Sequence, residues 1–232
     1  MSFEPARSLF RGGHITELEE LTPTSTRIRL AGPKLTGLTW EPGSHVRVKL
    51  GVLTLRTYSV WDADPQEGWV DLVLFDHQGP DGVGRAWAGS AVVGQYVVCL
   101  RDPRAIPLRP DAAWYLFAGE ETAAPAFGAL MRALPPEAPV LGVQQADTTR
   151  DHLTLPRPLT RTERNGAPAA SSQQLVDAVA ALDLPDEPGA AYLLGEARTI
   201  QMVRAHLVDD RGWHRRSIVT KPFWTPGRRG MD

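Results

Sequence analysis

Cysteine is almost absent from this sequence: among 232 residues there is one, Cys99. No disulfide can close within the chain, and the four thiolates that hold an iron–sulfur cluster are not available. Cys99 lies in the apolar run YVVCL, so a buried structural thiol is expected. Long apolar runs are missing too. None approaches the ~20 residues of a membrane-spanning helix, and the opening MSFEPARSLFRGG has neither an apolar core nor a cleavage pattern. A soluble, cytoplasmic protein without membrane insertion is the expectation. An excess of one charge is also lacking, since the net charge is −2 and both signs are spread along the chain. That argues against the electrostatic footprint of a nucleic-acid binder, and any anion site must come from a local cluster. The six histidines do not gather at ligand spacing, so no metal site is expected in the protein itself. HExxH and G-x-S-x-G are absent, and no catalytic triad or paired carboxylate stands out.

What is present is enough apolar material, 42% of residues, for an ordinary core. The length allows one large domain or two small ones. Over about the first hundred residues, STRIRLAG, HVRVKLGV, TLRTYSVW, GWVDLVLFD and GQYVVCLR read as short strands separated by Gly-Pro, Pro-Gly and Asp-Pro turns. Strands without intervening helices argue for an antiparallel barrel or sandwich. RAWAGSAV, after DGVG, could open one short helix. Beyond Pro110 the texture changes. WYLFAG, APVLGVQQAD and AAYLLG read as strands. They alternate with the helix candidates EETAAPAFGALMRAL, SSQQLVDAVAALDLP (N-cap Ser171 or Ser172) and EARTIQMVRAHLVDDRG. Alternation of this kind predicts a parallel α/β sheet. The expected domains are therefore residues 1–109 and residues 110–232, a β domain followed by an α/β domain.

Two stretches carry the chemistry. In LRTYSV a strand places Arg56, Tyr58 and Val60 on one face and Leu55, Thr57 and Ser59 on the other. A solvated strand edge would account for this alone. In HQGPDGVGRAW, glycines Gly79, Gly82 and Gly84 precede a helix start at Arg85, Ala86 and Trp87, so backbone N–H groups are offered to a phosphate. A plain turn is the competing account, and Pro80 breaks the dinucleotide fingerprint. Together they suggest one site. Arg56 and residues 82–87 hold a pyrophosphate, the Tyr58 ring lies against a planar heterocycle, and Ser59 meets a ring nitrogen. A β-barrel would hold FAD in this way, and barrel, Gly-rich helix start and α/β domain in that order resemble the ferredoxin reductase superfamily.

A more specific resemblance is to the siderophore-interacting proteins within that superfamily. FAGEETAAPAF is similar to their GDETALPA segment. HQGPDGVGRAWAGSAVVGQYVVCL resembles their stretch from a strand-end histidine, here His77, into a following strand. GEARTIQMVRAHLVDDRGWHRRSI resembles their GEA segment, and KPFWTPGRRG their Tyr-Trp-Arg-x-Gly ending. The matches are collinear over nearly the whole chain. Ser59 stands for the usual threonine, Trp61 for a second arginine, and Phe223 for tyrosine.

The resemblance implies a fold and an activity. The fold is an N-terminal antiparallel six-stranded β-barrel that binds FAD, followed by a C-terminal α/β domain of the NAD(P)H-binding kind and an aromatic, basic tail. The activity is FAD-dependent reduction of a ferric siderophore with electrons from NADH, NADPH or reduced ferredoxin. Ferredoxin is then a candidate protein partner, and the flavin does the chemistry. Flavin contacts would come from Arg56, Thr57, Tyr58, Ser59, His77 and the Gly82, Gly84, Arg85, Ala86, Trp87 turn. Thr122, Ala123, Phe223 and Trp224 would add to them. Substrate contacts would come from Arg47, Lys49 and Lys221. Along HVRVK, His45, Arg47 and Lys49 share a face, and a solvated face is the equal alternative. Gly119, Glu121, Gly195 and Glu196, at strand ends that turn into helices, would line the nicotinamide, with helix capping as the competing role for Glu120 and Glu121. Arg157, Arg161 and Arg164 could meet a cofactor phosphate, although a solvated loop is the expectation there. Two other classes share these features: a flavin electron-transfer subunit for a protein partner, and a siderophore- or flavin-binding protein without turnover.

Overall fold

The computed structural model describes residues 10–51, 54–75, 83–102 and 104–228. The first part is a closed antiparallel barrel. Its strands in chain order are β1 (Phe10–Thr22), β2 (Ser25–Ala31), β3 (His45–Lys49), β4 (Leu55–Asp64), β5 (Trp69–Phe75) and β6 (Tyr96–Asp102), with helix α1 (Val83–Ser90) between the last two. They close in the spatial order β1-β2-β5-β4-β3-β6. Alternating apolar residues fill the interior: Ile28 and Leu30 from β2, Val46 and Val48 from β3, Leu72 and Leu74 from β5, Val97 and Cys99 from β6. Cys99 is buried as expected, and burial raises its thiol to about 11 against a smaller opposite pull from Arg11.

Strand β1 is the barrel element absent from the sequence reading. Its run of glutamates looks solvated in isolation. In the barrel, Glu17 stands across from Arg29 and Glu19 across from Arg27 on β2, and Arg27 and Arg29 both reach Asp71 of β5, at 2.9 and 2.8 Å. Charge pairing across strands replaces the apolar alternation that would have marked the strand.

The second part is a five-stranded sheet, all neighbours parallel, in the order β11-β10-β7-β8-β9. Its elements are β7 (Tyr115–Glu120), α2 (Ala124–Arg132), β8 (Val140–Ala146), β9 (Thr160–Glu163), α3 (Gln173–Ala180), β10 (Ala190–Glu196), α4 (Ala197–Ala205) and β11 (Ile218–Trp224). Of the two candidate N-caps, Ser172 accepts from the Leu175 amide and starts α3. Two strands here, β9 and β11, lie in stretches whose sequence reads as partly loop and as tail. β9 is only four residues long, TRTE, with no apolar side chain to mark it. β11 contains Pro222, which the sheet accommodates because the strand lies at its edge. The sheet is covered on both faces. Leu116, Ala118, Val143 and Leu193 pack against Leu175, Ile200 and Val203 of α3 and α4. Phe117, Tyr192 and Leu194 pack against Phe127 and Leu130 of α2.

The domains meet where β4 touches α2. The Trp61 ring covers Gly128 so closely that a Cβ there would lie 2.2 Å from Cζ3. The Arg132 guanidinium sits 4.5 Å over the same ring and donates to the Trp61 carbonyl oxygen. Trp61, found where the resemblance leads one to expect a ligand-binding arginine, thus holds the domain junction. Thr24 Oγ1 adds a bond to Asp151 Oδ1 at 2.9 Å.

Candidate functional site

Three groups of residues are candidates: one on each face of β4, the second of which meets β11 through Phe223, and one at the carboxyl edge of the parallel sheet. The first lies at the inner face of β4. Tyr58 packs on the barrel core, its ring 5.5 Å from that of Trp87 in α1. Burial raises the phenol well above its ordinary range, so it stays neutral. A Cβ on Gly84 would lie 3.3 Å from Tyr58 Oη, so the start of α1 and the tyrosine occupy one place. The LRTYSV strand and the Gly-rich helix start, far apart in sequence, are adjacent. Arg56 shares the Tyr58 face and donates to the Leu55 carbonyl at 2.8 Å. Ala86 and Trp87 follow in the helix, Ala86 exposed and Trp87 buried. Gly79, Pro80, Gly82 and His77 lie outside the described residues, as does the side chain of Arg85.

The second group is on the opposite face. Here Ser59 of β4 pairs with His45 of β3, and His45 pairs on its other side with Asp102 of β6. His45 is 2% exposed, and its ring lies edge-on to Phe223 of β11 at 5.9 Å. Burial first, then the positive charge of Lys221, lowers the imidazole to about 4, so it is neutral at physiological pH. Asp102 accepts from Arg104 at 3.1 Å and pairs with Arg47 at 3.2 Å. Arg104, and after it Arg47, holds the carboxyl far below the carboxylate range against the effect of burial. Along HVRVK, then, His45 is buried, Arg47 is tied to Asp102, and Lys49 is exposed at the strand end. Thr57, also on this face, pairs with Arg47 across the strands.

The third group sits at the carboxyl edge of the parallel sheet. The chain runs from β7 outward through β8 to β9, then returns to β10 on the other side of β7. The boundary between β7 and β10 is therefore the topological switch point, where such sheets bind ligands. Glu120, 1% exposed, ends β7 there. It accepts from the Thr122 amide at 2.8 Å, from Trp224 Nε1 at 2.9 Å, and from the Thr122 hydroxyl. Burial, then the neighbouring Glu121, raises Glu120 to about 7 against those donors. Gly195 is at φ +119°, and a Cβ on it would lie 2.7 Å from Glu120 Oε1. On Gly119, a Cβ would meet the Leu194 carbonyl oxygen at 2.3 Å, so both glycines serve close packing of the strand ends. Ala123 is fully buried. Glu196 accepts from the Arg198 and Thr199 amides at 3.0 and 2.9 Å and caps α4. Burial opposes its ionisation, but the Thr199 amide, the Thr225 hydroxyl and the Arg198 amide together hold the carboxyl low.

Glu120 thus caps the turn that follows β7 and also anchors Trp224. Glu121 is clamped by Arg164 through two bonds of 2.6 Å. Arg164 is only 7% exposed, and Arg157 donates to the carbonyl oxygens of Pro135, Leu134 and Ala138. The solvated loop expected for this basic run is corrected for both residues: their guanidiniums satisfy part-buried acceptors inside the domain, while Arg161 alone of the three is exposed. Asp102 and Gln145 escaped the sequence reading. Asp102 ends an apolar strand and carries no motif. Gln145, fully buried and paired in register with Glu120, would have shown only as a polar residue at the end of a buried strand.

Residues 112–227 match the family model described as "Siderophore-interacting protein". Over 92% of its length the chain is 28% identical to the mycobactin import ATP-binding/permease protein IrtA of Mycolicibacterium thermoresistibile, and it spans only 25% of that protein. It is 25% identical to the ferric vibriobactin reductase ViuB of Vibrio cholerae, over 87% of this chain and 84% of that one. Its fold matches the crystal structure of a siderophore utilization protein from T. fusca with a TM-score of 0.84, at 23% identity, covering 96% of this chain and 95% of the other.

Proposed function

The chain belongs to the siderophore-interacting protein family, and from that premise we propose that it is an FAD-dependent ferric-siderophore reductase. Family and fold are consistent with flavin-mediated electron transfer in iron-related reductase systems. The observation that carries the finer reading is the meeting of Tyr58 with the start of α1 at Gly84. A flavin needs an anion cradle, an aromatic wall and a hydrogen-bonding group at the ring, and the residues fit that demand. Gly84 leaves backbone open at the first turn of α1, Arg56 brings a cation to the same face, and Tyr58 is kept neutral. Ser59 lies on the other face beside the buried imidazole of His45.

In this reading Arg56 and the first amides of α1 bind the pyrophosphate, Tyr58 and Ser59 orient the ring, and Phe223 and Trp224 exclude water from the domain junction. FAD, when bound, would accept two electrons together and release them singly. Gly119, Glu121, Gly195 and Glu196 line the edge at which NADH or NADPH would approach, with reduced ferredoxin as the alternative donor. Lys49 and Lys221, with Arg47 behind them, attract an anionic ferric chelate. Reduction lowers affinity, because hard oxygen donors hold Fe(II) less tightly than Fe(III), and the metal is released. The vibriobactin reductase supports this substrate class.

The test is an anaerobic absorbance titration of protein loaded with FAD. The flavin should bleach with NADH, NADPH or reduced ferredoxin and regain colour on addition of a ferric siderophore. Reoxidation by a protein acceptor alone would assign an electron-transfer subunit instead, and protein that takes up no FAD would overturn the site.

A further inference from the structure

A cleft lies at the domain junction, between β4 and the β2–β3 connection of the barrel on one side and the end of α2 on the other. Its volume is about 220 Å³, more than the ~150 Å³ of an apolar cavity that takes up a benzene ring. None of its residues is among those assigned above to flavin, electron donor or ferric chelate. Trp40, Pro42 and Trp61 supply its apolar walls, and two donor groups belong to the same lining. Trp40 packs on the barrel core, and its indole N–H is buried with no hydrogen-bond partner. Such a donor is costly until an acceptor reaches it. Arg132 lies over the Trp61 ring and directs one N–H at the Trp61 carbonyl oxygen, which leaves its other N–H groups to a ligand. Among the described residues it forms no ion pair; Asp62 and Asp71 attract it only from a distance. The remaining charges in the lining, Glu41 and Asp62, are exposed.

We propose that this cleft binds an aromatic monocarboxylate, with its ring against Trp40 and Pro42 and its carboxylate on Arg132. The inference does not depend on the flavin reading. A guanidinium presents a planar fork that matches a carboxylate. A small rotation of the half-buried Trp40 ring brings its N–H to the same anion. The indole walls favour a flat ring over a flexible chain, because stacking adds to burial and an aromatic ring has few rotors to order. The charge of the ligand follows from where the protein charges stand. A cation would meet Arg132 inside the cleft, while the two carboxylates are exposed and screened by solvent. Those same carboxylates repel a dianion, so one negative charge fits best. Trp40 and Trp61 belong to the barrel and Arg132 to α2. The ligand therefore touches both domains and ties them together beside the contact of Trp61 with Gly128.

The probe is benzoate, titrated into protein labelled with ¹³C at its alanine methyls. The signals of Ala129 and Ala133 on α2 and of Ala63 on β4, all three in the lining, should move. The melting temperature should rise with benzoate concentration. Arg132→Gln should weaken binding ~10-fold or more, and Trp40→Phe, which keeps a ring but removes the N–H, by ~3–10-fold. Benzyl alcohol, similar in shape but uncharged, should bind ~10-fold more weakly than benzoate. If a variant fails to fold, the alanine map of the wild type and the benzyl alcohol comparison decide. Unmoved signals at ~10 mM benzoate, or movement confined to other alanines, would overturn the proposal. Tighter binding of benzylamine than of benzoate would overturn it as well, since Glu41 and Asp62 would then govern the cleft. Added FAD should leave benzoate binding unchanged; competition between the two would place the probe in the flavin site and refute the cleft, whereas failure of FAD to bind would count against the flavin reading alone.

Discussion

Replacement of Glu120 by glutamine should change how stability depends on pH. The buried carboxyl titrates at about 7 in the folded protein against an ordinary value of 4.5. Between those values the folded chain holds a proton that the unfolded chain has released. Stability from this group is therefore fully present below about pH 4.5 and is lost as pH rises through about 7. At ~1.36 kcal/mol per pKa unit, the loss between about pH 5 and pH 8 is roughly 2–3 kcal/mol. His45, lowered to about 4, has the opposite sign: its neutral folded form loses stability as pH falls below the ordinary imidazole range. The two slopes partly cancel in the wild type, so the informative quantity is the difference between the wild type and Glu120→Gln. Urea unfolding at several pH values, with unchanged m-values, would measure it. Glutamine keeps an acceptor for the Thr122 amide but turns an N–H₂ toward a donor, which adds a pH-independent loss of ~1–2 kcal/mol. The expected outcome is a gap between the two proteins that shifts by roughly 2–3 kcal/mol across the window, moving in the variant's favour toward pH 8. Parallel curves would refute the placement of a proton on Glu120.

Two further outcomes follow from packing. Arg164→Leu removes the bidentate partner of Glu121 from a nearly buried site and should cost about 3–5 kcal/mol in urea unfolding; a loss under ~1 kcal/mol would mean that the pair behaves as a solvated one. Gly128→Val places atoms where the Trp61 ring now lies and should destabilise by roughly 1–3 kcal/mol. Part of that loss should return in the Trp61→Ala background, read as a non-additive double-mutant cycle, and strict additivity would show that the ring does not cover Gly128.

Much of the fold was legible because it follows from local rules. Alternation marked five barrel strands, and the α/β texture after Pro110 followed from strand and helix periods with caps such as Ser172. The elements that were missed are those in which tertiary pairing replaces the local signal. β1 is held by ion pairs to β2, β9 is a four-residue polar edge, and β11 contains a proline that its edge position tolerates. The family was readable from motifs in sequence order, and so was the face shared by Arg56 and Tyr58, because a strand has period two.

The sequence by itself therefore determined the two fold classes, the barrel strand with its cation and aromatic ring, and the absence of internal disulfides. Tertiary structure alone decided which charges are free to act. Arg164 and Glu121 neutralise each other, and Arg47 is tied to Asp102. Trp61 is spent on the domain junction. It also decided that Ser59, His45 and Asp102 stand side by side, since strand pairing joins residues remote in the chain and burial sets their protonation, and neither is encoded in local spacing.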